Sequence, residues 1–115
     1  MDREHIFLNA LNMVSGIGPV TIRALKKHFG SHEAAWQGTA VALRAAGLTQ
    51  NIVEATLQQR LAIDPEKEYG EMQRGNIWMI ADTDEAFPPL LKEIPDPPVA
   101  LYGKGSPIPF FTARK

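Results

Sequence analysis

Two glycines, Gly16 and Gly18, stand just ahead of Pro19, and this small group is where the chain is best equipped to do chemistry. Glycine takes positive φ without a Cβ penalty and lets another group approach the main chain closely, so Gly16-Ile17-Gly18 can reverse the chain and leave space in front of it. Pro19 suits the first position of a helix, where its missing N–H costs nothing. The amides that follow, with the positive end of the helix dipole, would hold a phosphate oxygen without reading any base. Arg23, Lys26 and Lys27 follow on the same helix, at spacings that set Arg23 beside both lysines and extend a positive field around that anion site. The candidate DNA-binding residues are therefore Gly16, Ile17, Gly18, Val20, Thr21, Arg23, Lys26 and Lys27. Each has a plainer reading. The glycines can serve only the packing of a helical corner, Thr21 can bond within its own first turn, and the cations can line a solvated face.

No constellation for covalent catalysis or metal binding accompanies them, so an enzyme is not expected. His5, His28 and His32 have no cysteine to share a metal with, and Gly30 separates His28 from His32, which argues against chelation at i, i+4 on one helix. Asp82, Asp84 and Glu85 could hold Mg²⁺, but capping and turn roles suit them better. Ser15 and Ser106 lack a neighbouring histidine and acid. Trp78 reads as a sheet residue, or as a platform for a base if it is exposed. No cofactor is expected.

The elements that must position the glycine hairpin follow from apolar spacing. Residues 4–14 carry Ile6, Leu8, Leu11 and Val14 at helical intervals, with Asp2 as N-cap. A second helix runs from Pro19 to Phe29 and stops at Gly30. Ser31 caps a short helix ending at Trp36, Thr39 caps another ending near Gly47, and Thr49 opens a longer one that ends near Asp64-Pro65. Residues 43–49 look like a second, degenerate hairpin with one glycine. Leu11, Ile22, Leu25, Phe29, Trp36 and Leu57 are expected to share one core. After Pro65 the character changes to a charged linker helix closed by Gly75. Residues 77–81 form a short apolar strand, residues 87–91 open a single helical turn, and residues 99–102 form a second strand. Strand, short helix, strand is the opening of a parallel-type α/β sheet. Two strands cannot bury both faces, so this part should lean on the helices or on another copy of itself.

Composition bounds the rest. The chain has 115 residues, 44% apolar, a net charge of −1 and no cysteine, which excludes disulfides and thiolate metal sites. No apolar run approaches the ~20 residues of a membrane span, and the start, Asp2-Arg3-Glu4-His5, is unlike a signal peptide. A cytoplasmic location and no membrane partner are expected. The near-neutral charge argues against strong autonomous DNA binding, since phosphate neutralisation supplies most non-specific affinity. Charge is nevertheless uneven. Residues 1–60 hold six Lys/Arg against four Asp/Glu, and residues 61–115 hold six against nine.

The succession of elements resembles two things. The first hairpin has the helix-hairpin-helix pattern, although many DNA-clamping hairpins carry Pro where this chain has Ser15 and Lys or Arg where it has Val20. The whole chain resembles the N-terminal part of the DNA-processing protein A (DprA, or Smf) family. Gly16-Ile17-Gly18-Pro19, Phe29-Gly30-Ser31 and Ala46-Gly47-Leu48 carry part of that likeness. Its most specific stretch runs from Asp82-Thr83-Asp84-Glu85 through Phe87-Pro88-Pro89-Leu90-Leu91 and Asp96-Pro97-Pro98 to Gly103-Lys104-Gly105. The resemblance implies a mainly α fold with a small α/β extension: a SAM-like, double helix-hairpin-helix domain over 1–64, a linker helix over 65–75, and an incomplete Rossmann-like fragment over 76–115. It also implies single-stranded DNA and RecA as partners, with a homodimer formed through the Rossmann-like domain. In that family the main DNA-binding glycine and arginine motif lies beyond the point where this chain stops. Residues 108–115 echo the strand leading to it, without the expected glycine. The competing class is a protein–protein interaction module whose hairpins are purely architectural.

Overall fold

A computed structural model describes residues 3–105. The capping assigned to Asp2 and the readings of Ser106 and residues 108–115 lie outside the described residues. Six helices and two strands follow in order: α1 (Arg3–Met13), α2 (Pro19–Phe29), α3 (His32–Trp36), α4 (Ala40–Ala45), α5 (Gln50–Arg60), α6 (Pro65–Arg74), β1 (Ile77–Ala81) and β2 (Ala100–Lys104). A 3-10 turn, Pro89–Lys92, lies in the β1–β2 connection. The fold is mainly helical with a small sheet.

Helix boundaries fall where local chemistry puts them. Ser31, Thr39, Thr49 and Asp64 adopt extended backbone and accept from the amides of Ala34, Ala42, Ile52 and Lys67, satisfying donors that the first helical turn leaves orphaned. Gly30, at φ +93°, ends α2 and donates its N–H to Lys26 O at 2.7 Å. Gly47, at φ +111°, ends α4 in a Schellman arrangement: its N–H reaches Arg44 O, and that of Leu48 reaches Leu43 O. Leu43 and Leu48 are both buried, which anchors this second hairpin.

The core forms around α1. Its residues Ile6 to Leu11 are buried without a break, Asn9 among them. A one-sided amphipathic helix would bury every third or fourth residue. Here α2 and α3 cover one side while α6 and β1 cover another, so α1 is central. Leu11, Ile22, Leu25 and Trp36 lie in this cluster and Phe29 and Leu57 pack against it, as the periodicity predicts. Gly38 is required by packing, since a Cβ there would sit 2.7 Å from the Phe29 ring.

The sheet departs from expectation in direction. A parallel-type pair was expected, yet β1 and β2 run antiparallel, with Ile77 opposite Lys104 and Ala81 opposite Ala100. The connection makes no crossover. It leaves and returns at one end, where the Asp82 N–H reaches Val99 O at 2.9 Å. Gly103 faces Trp78 so closely that a Cβ there would lie 2.0 Å from the indole. The sheet leans on the helices, as two strands alone require. Ala81, Val99 and Ala100 join the helical core, and the Tyr102 hydroxyl donates to Asn9 Oδ1 at 2.9 Å while accepting from Asn12. Burial pushes the Tyr102 phenol above its ordinary pKa.

Candidate nucleic-acid interface

The first hairpin is built from a positive-φ glycine, a plug and a clamp. Gly16 has φ +103°, while Gly18 is extended at φ −120°, so only one of the two glycines uses the freedom expected of both. Ile17 between them is buried in the core. The clamp was not legible in the sequence. Gln59, from the last turn of α5, accepts the Ser15 N–H at 2.8 Å and donates to Ser15 O at 3.0 Å, tying the hairpin backbone to a helix 44 residues away. Paired amide hydrogen bonds of this kind fix orientation as well as distance.

Beyond the hairpin, α2 begins without a side-chain cap. Gly18 has no side chain to give, and Pro19 has no N–H. A Cβ placed on Gly18 would meet nothing within 4 Å, so the approach to the helix start is open on that side. The first turn is therefore an electropositive end with unfilled donor capacity.

The candidate residues separate into three environments. Gly16 and Val20 are exposed, Val20 at 65%, whereas Gly18 and Thr21 are half-buried and Ile17 is buried. Arg23 turns away from open solvent: its Nε and Nη2 each lie 3.1 Å from Asp82 Oδ2, and Nη2 also donates to Pro98 O at 3.0 Å. Lys26 lines a cleft of about 220 Å³ together with Glu4, His5, His32, Thr83 and Asp84. Of the three cations, Lys27 alone is exposed, Arg23 and Lys26 being half-buried. The expected continuous positive face is thus divided, because the acidic turn after β1 packs against the same side of α2.

The cleft joins α1, α2, α3 and the β1 turn. His5 Nε2 lies 2.7 Å from Asp84 Oδ2, and that oxygen also accepts the Ala81 N–H, which is the turn role expected for Asp84. Glu4 accepts the backbone N–H groups of His32 and Glu33, so α1 caps the start of α3 from outside. His32 Nδ1 stands 3.0 Å from Glu4 Oε1, within ion-pair distance. Burial of the His32 ring holds its pKa below the ordinary value, Glu4 opposing and Lys26 reinforcing the shift. Among the described residues, no group of three or more His, Cys, Asp or Glu could hold a metal ion, and no helix is long and apolar enough to cross a membrane.

Fold and site together define a small helical module whose glycine hairpin presents an uncapped helix start, docked on a two-stranded sheet. The chain is similar to Protein Smf of Synechocystis sp. (strain ATCC 27184 / PCC 6803 / Kazusa), being 34% identical over 103 residues. The matched region is 89% of this chain and 26% of that protein, so the chain spans about a quarter of the relative's length. No family model and no solved structure matches it.

Proposed function

We propose that the chain is the N-terminal region of a DprA/Smf-type DNA-processing protein, a SAM-like unit followed by the first strands of a Rossmann-like domain. Its own part is weak, sequence-independent contact with a nucleic-acid backbone at the first hairpin. The observation that carries this reading is the start of α2, where the Val20 and Thr21 amides follow a residue with no side chain and an open approach. A phosphate oxygen supplies the acceptor that Ser, Thr or Asp supplies at α3 to α6. Similarity to Protein Smf supports a DNA-processing role. Single-strand protection and RecA loading, implied by the family resemblance, are proposed for a complete protein of this kind and not for these residues alone.

Fluorescence anisotropy with labelled single- and double-stranded oligonucleotides at two salt concentrations tests the contact. Expected are dissociation constants of ~10⁻⁴ to 10⁻⁶ M, no sequence preference and strong salt dependence. Gly18→Val should remove the contact by filling the approach while leaving the fold intact, since its Cβ meets no neighbour within 4 Å. Replacing Lys26 and Lys27 together by alanine should flatten the salt slope. Absence of binding at low salt, or binding untouched by Gly18→Val in a folded protein, overturns the reading. The alternative is then a protein-interaction module whose hairpins are purely architectural.

A further inference from the structure

We infer that the acidic turn following β1 is an internal competitor for the basic side of α2, so that Asp82 restrains the DNA contact by occupying Arg23. The inference rests on the hairpin reading above and adds its regulation. Arg23 lies one turn beyond the uncapped start of α2, among the cations that would meet a bound backbone there. In this conformation its donors are taken instead. Both Nε and Nη2 lie 3.1 Å from Asp82 Oδ2, and Nη2 also donates to the carbonyl of Pro98. The pair is partly shielded, the side chains being 34% and 20% exposed, so bulk salt screens it less than it screens a surface pair. Asp84 of the same turn lines the cleft that Lys26 lines.

A carboxylate oxygen facing a guanidinium is the same chemistry as a phosphate oxygen facing it, and the two acceptors exclude one another at one set of donors. The intramolecular acceptor has a high effective concentration, because β2 and the Val99 pairing hold Asp82 in place. DNA must displace it or do without Arg23.

The test is Asp82→Asn in the 115-residue chain, with Glu71→Gln as a control that removes the same charge from an exposed position on α6. Binding of a labelled single-stranded oligonucleotide is measured at low and moderate salt, and thermal unfolding confirms that each variant is folded. Asp82→Asn should tighten binding ~3- to 10-fold beyond the Glu71→Gln effect and steepen the log–log salt slope by about 0.7, the increment of one added phosphate contact on a single strand. In the Asp82→Asn background, Arg23→Gln should abolish the gain. Equal affinities of Asp82→Asn and Glu71→Gln, with wild-type binding intact, overturn the competitor and leave the hairpin reading standing. So does a gain that survives Arg23→Gln. Absence of binding by every variant at low salt overturns both.

Discussion

Arg23 and Asp82 lie 59 residues apart in the chain, yet the guanidinium of one meets the carboxylate of the other at 3.1 Å and closes the junction between the helices and the sheet. The same guanidinium holds Pro98 O, next to the first residue that pairs across the strand ends. A residue placed for surface electrostatics by its helical spacing is therefore also a structural bolt.

The core predicts the first outcome. Trp36 is buried in the cluster built on α1, and its backbone carbonyl accepts from Arg60 Nη1. Trp36→Ala should cost ~3 to 5 kcal/mol. Urea unfolding would read this as a large fall in midpoint, and a near-neutral change would show that Trp36 is not a core residue.

The two hairpin glycines should behave differently. At φ +103°, Gly16 pays for any Cβ through its backbone, although the nearest atom, Ile52 Cδ1, is at an ordinary 3.5 Å. Gly16→Ala should destabilise by about 1 to 2 kcal/mol. Gly18 is extended and open, so Gly18→Ala should be close to neutral. Thermal unfolding of the two variants side by side decides, and equal shifts would contradict the geometry.

Gln59 should control the hairpin without belonging to it. Gln59→Ala removes both hydrogen bonds to Ser15, at a cost of roughly 1 kcal/mol for an exposed pair. Hydrogen exchange should speed up at Ser15 while the amides of α1 stay protected. An unchanged Ser15 rate would mean that the clamp does not hold in solution.

Stability should fall on acidification through His32. Its pKa in the fold lies below the ordinary value because burial disfavours the imidazolium, so the unfolded chain binds the proton more readily. This contribution is absent above the unfolded pKa, near 6.5, and grows as pH drops toward the folded value. Denaturant midpoints at pH 7.5 and 5.5 should therefore differ less in His32→Gln than in the wild type. An equal or larger difference in the variant would rule His32 out as the source.

Local chemistry determined most of the secondary structure. Ser31, Thr39 and Thr49 cap the helices they were expected to cap, Pro19 and Gly30 bound α2, and the apolar run at 77–81 is a strand, because capping, φ preference and apolar spacing act over a few residues. What those signals do not encode is which surfaces meet. The burial of α1 by α2, α3, α6 and β1, the antiparallel pairing of β1 with β2, the Gln59 clamp on Ser15 and the Asp82 contact with Arg23 each bring together elements that the local signals leave separate. A polar side chain such as Gln59 reads as a solvated helix residue until the fold brings an unpaired backbone group to it. Arg23, Lys26 and Lys27 read as one basic face for the same reason. Helical spacing shows that they are neighbours, but only the docking of an acidic turn decides that Arg23 is held, Lys26 is in a cleft and Lys27 is exposed to solvent.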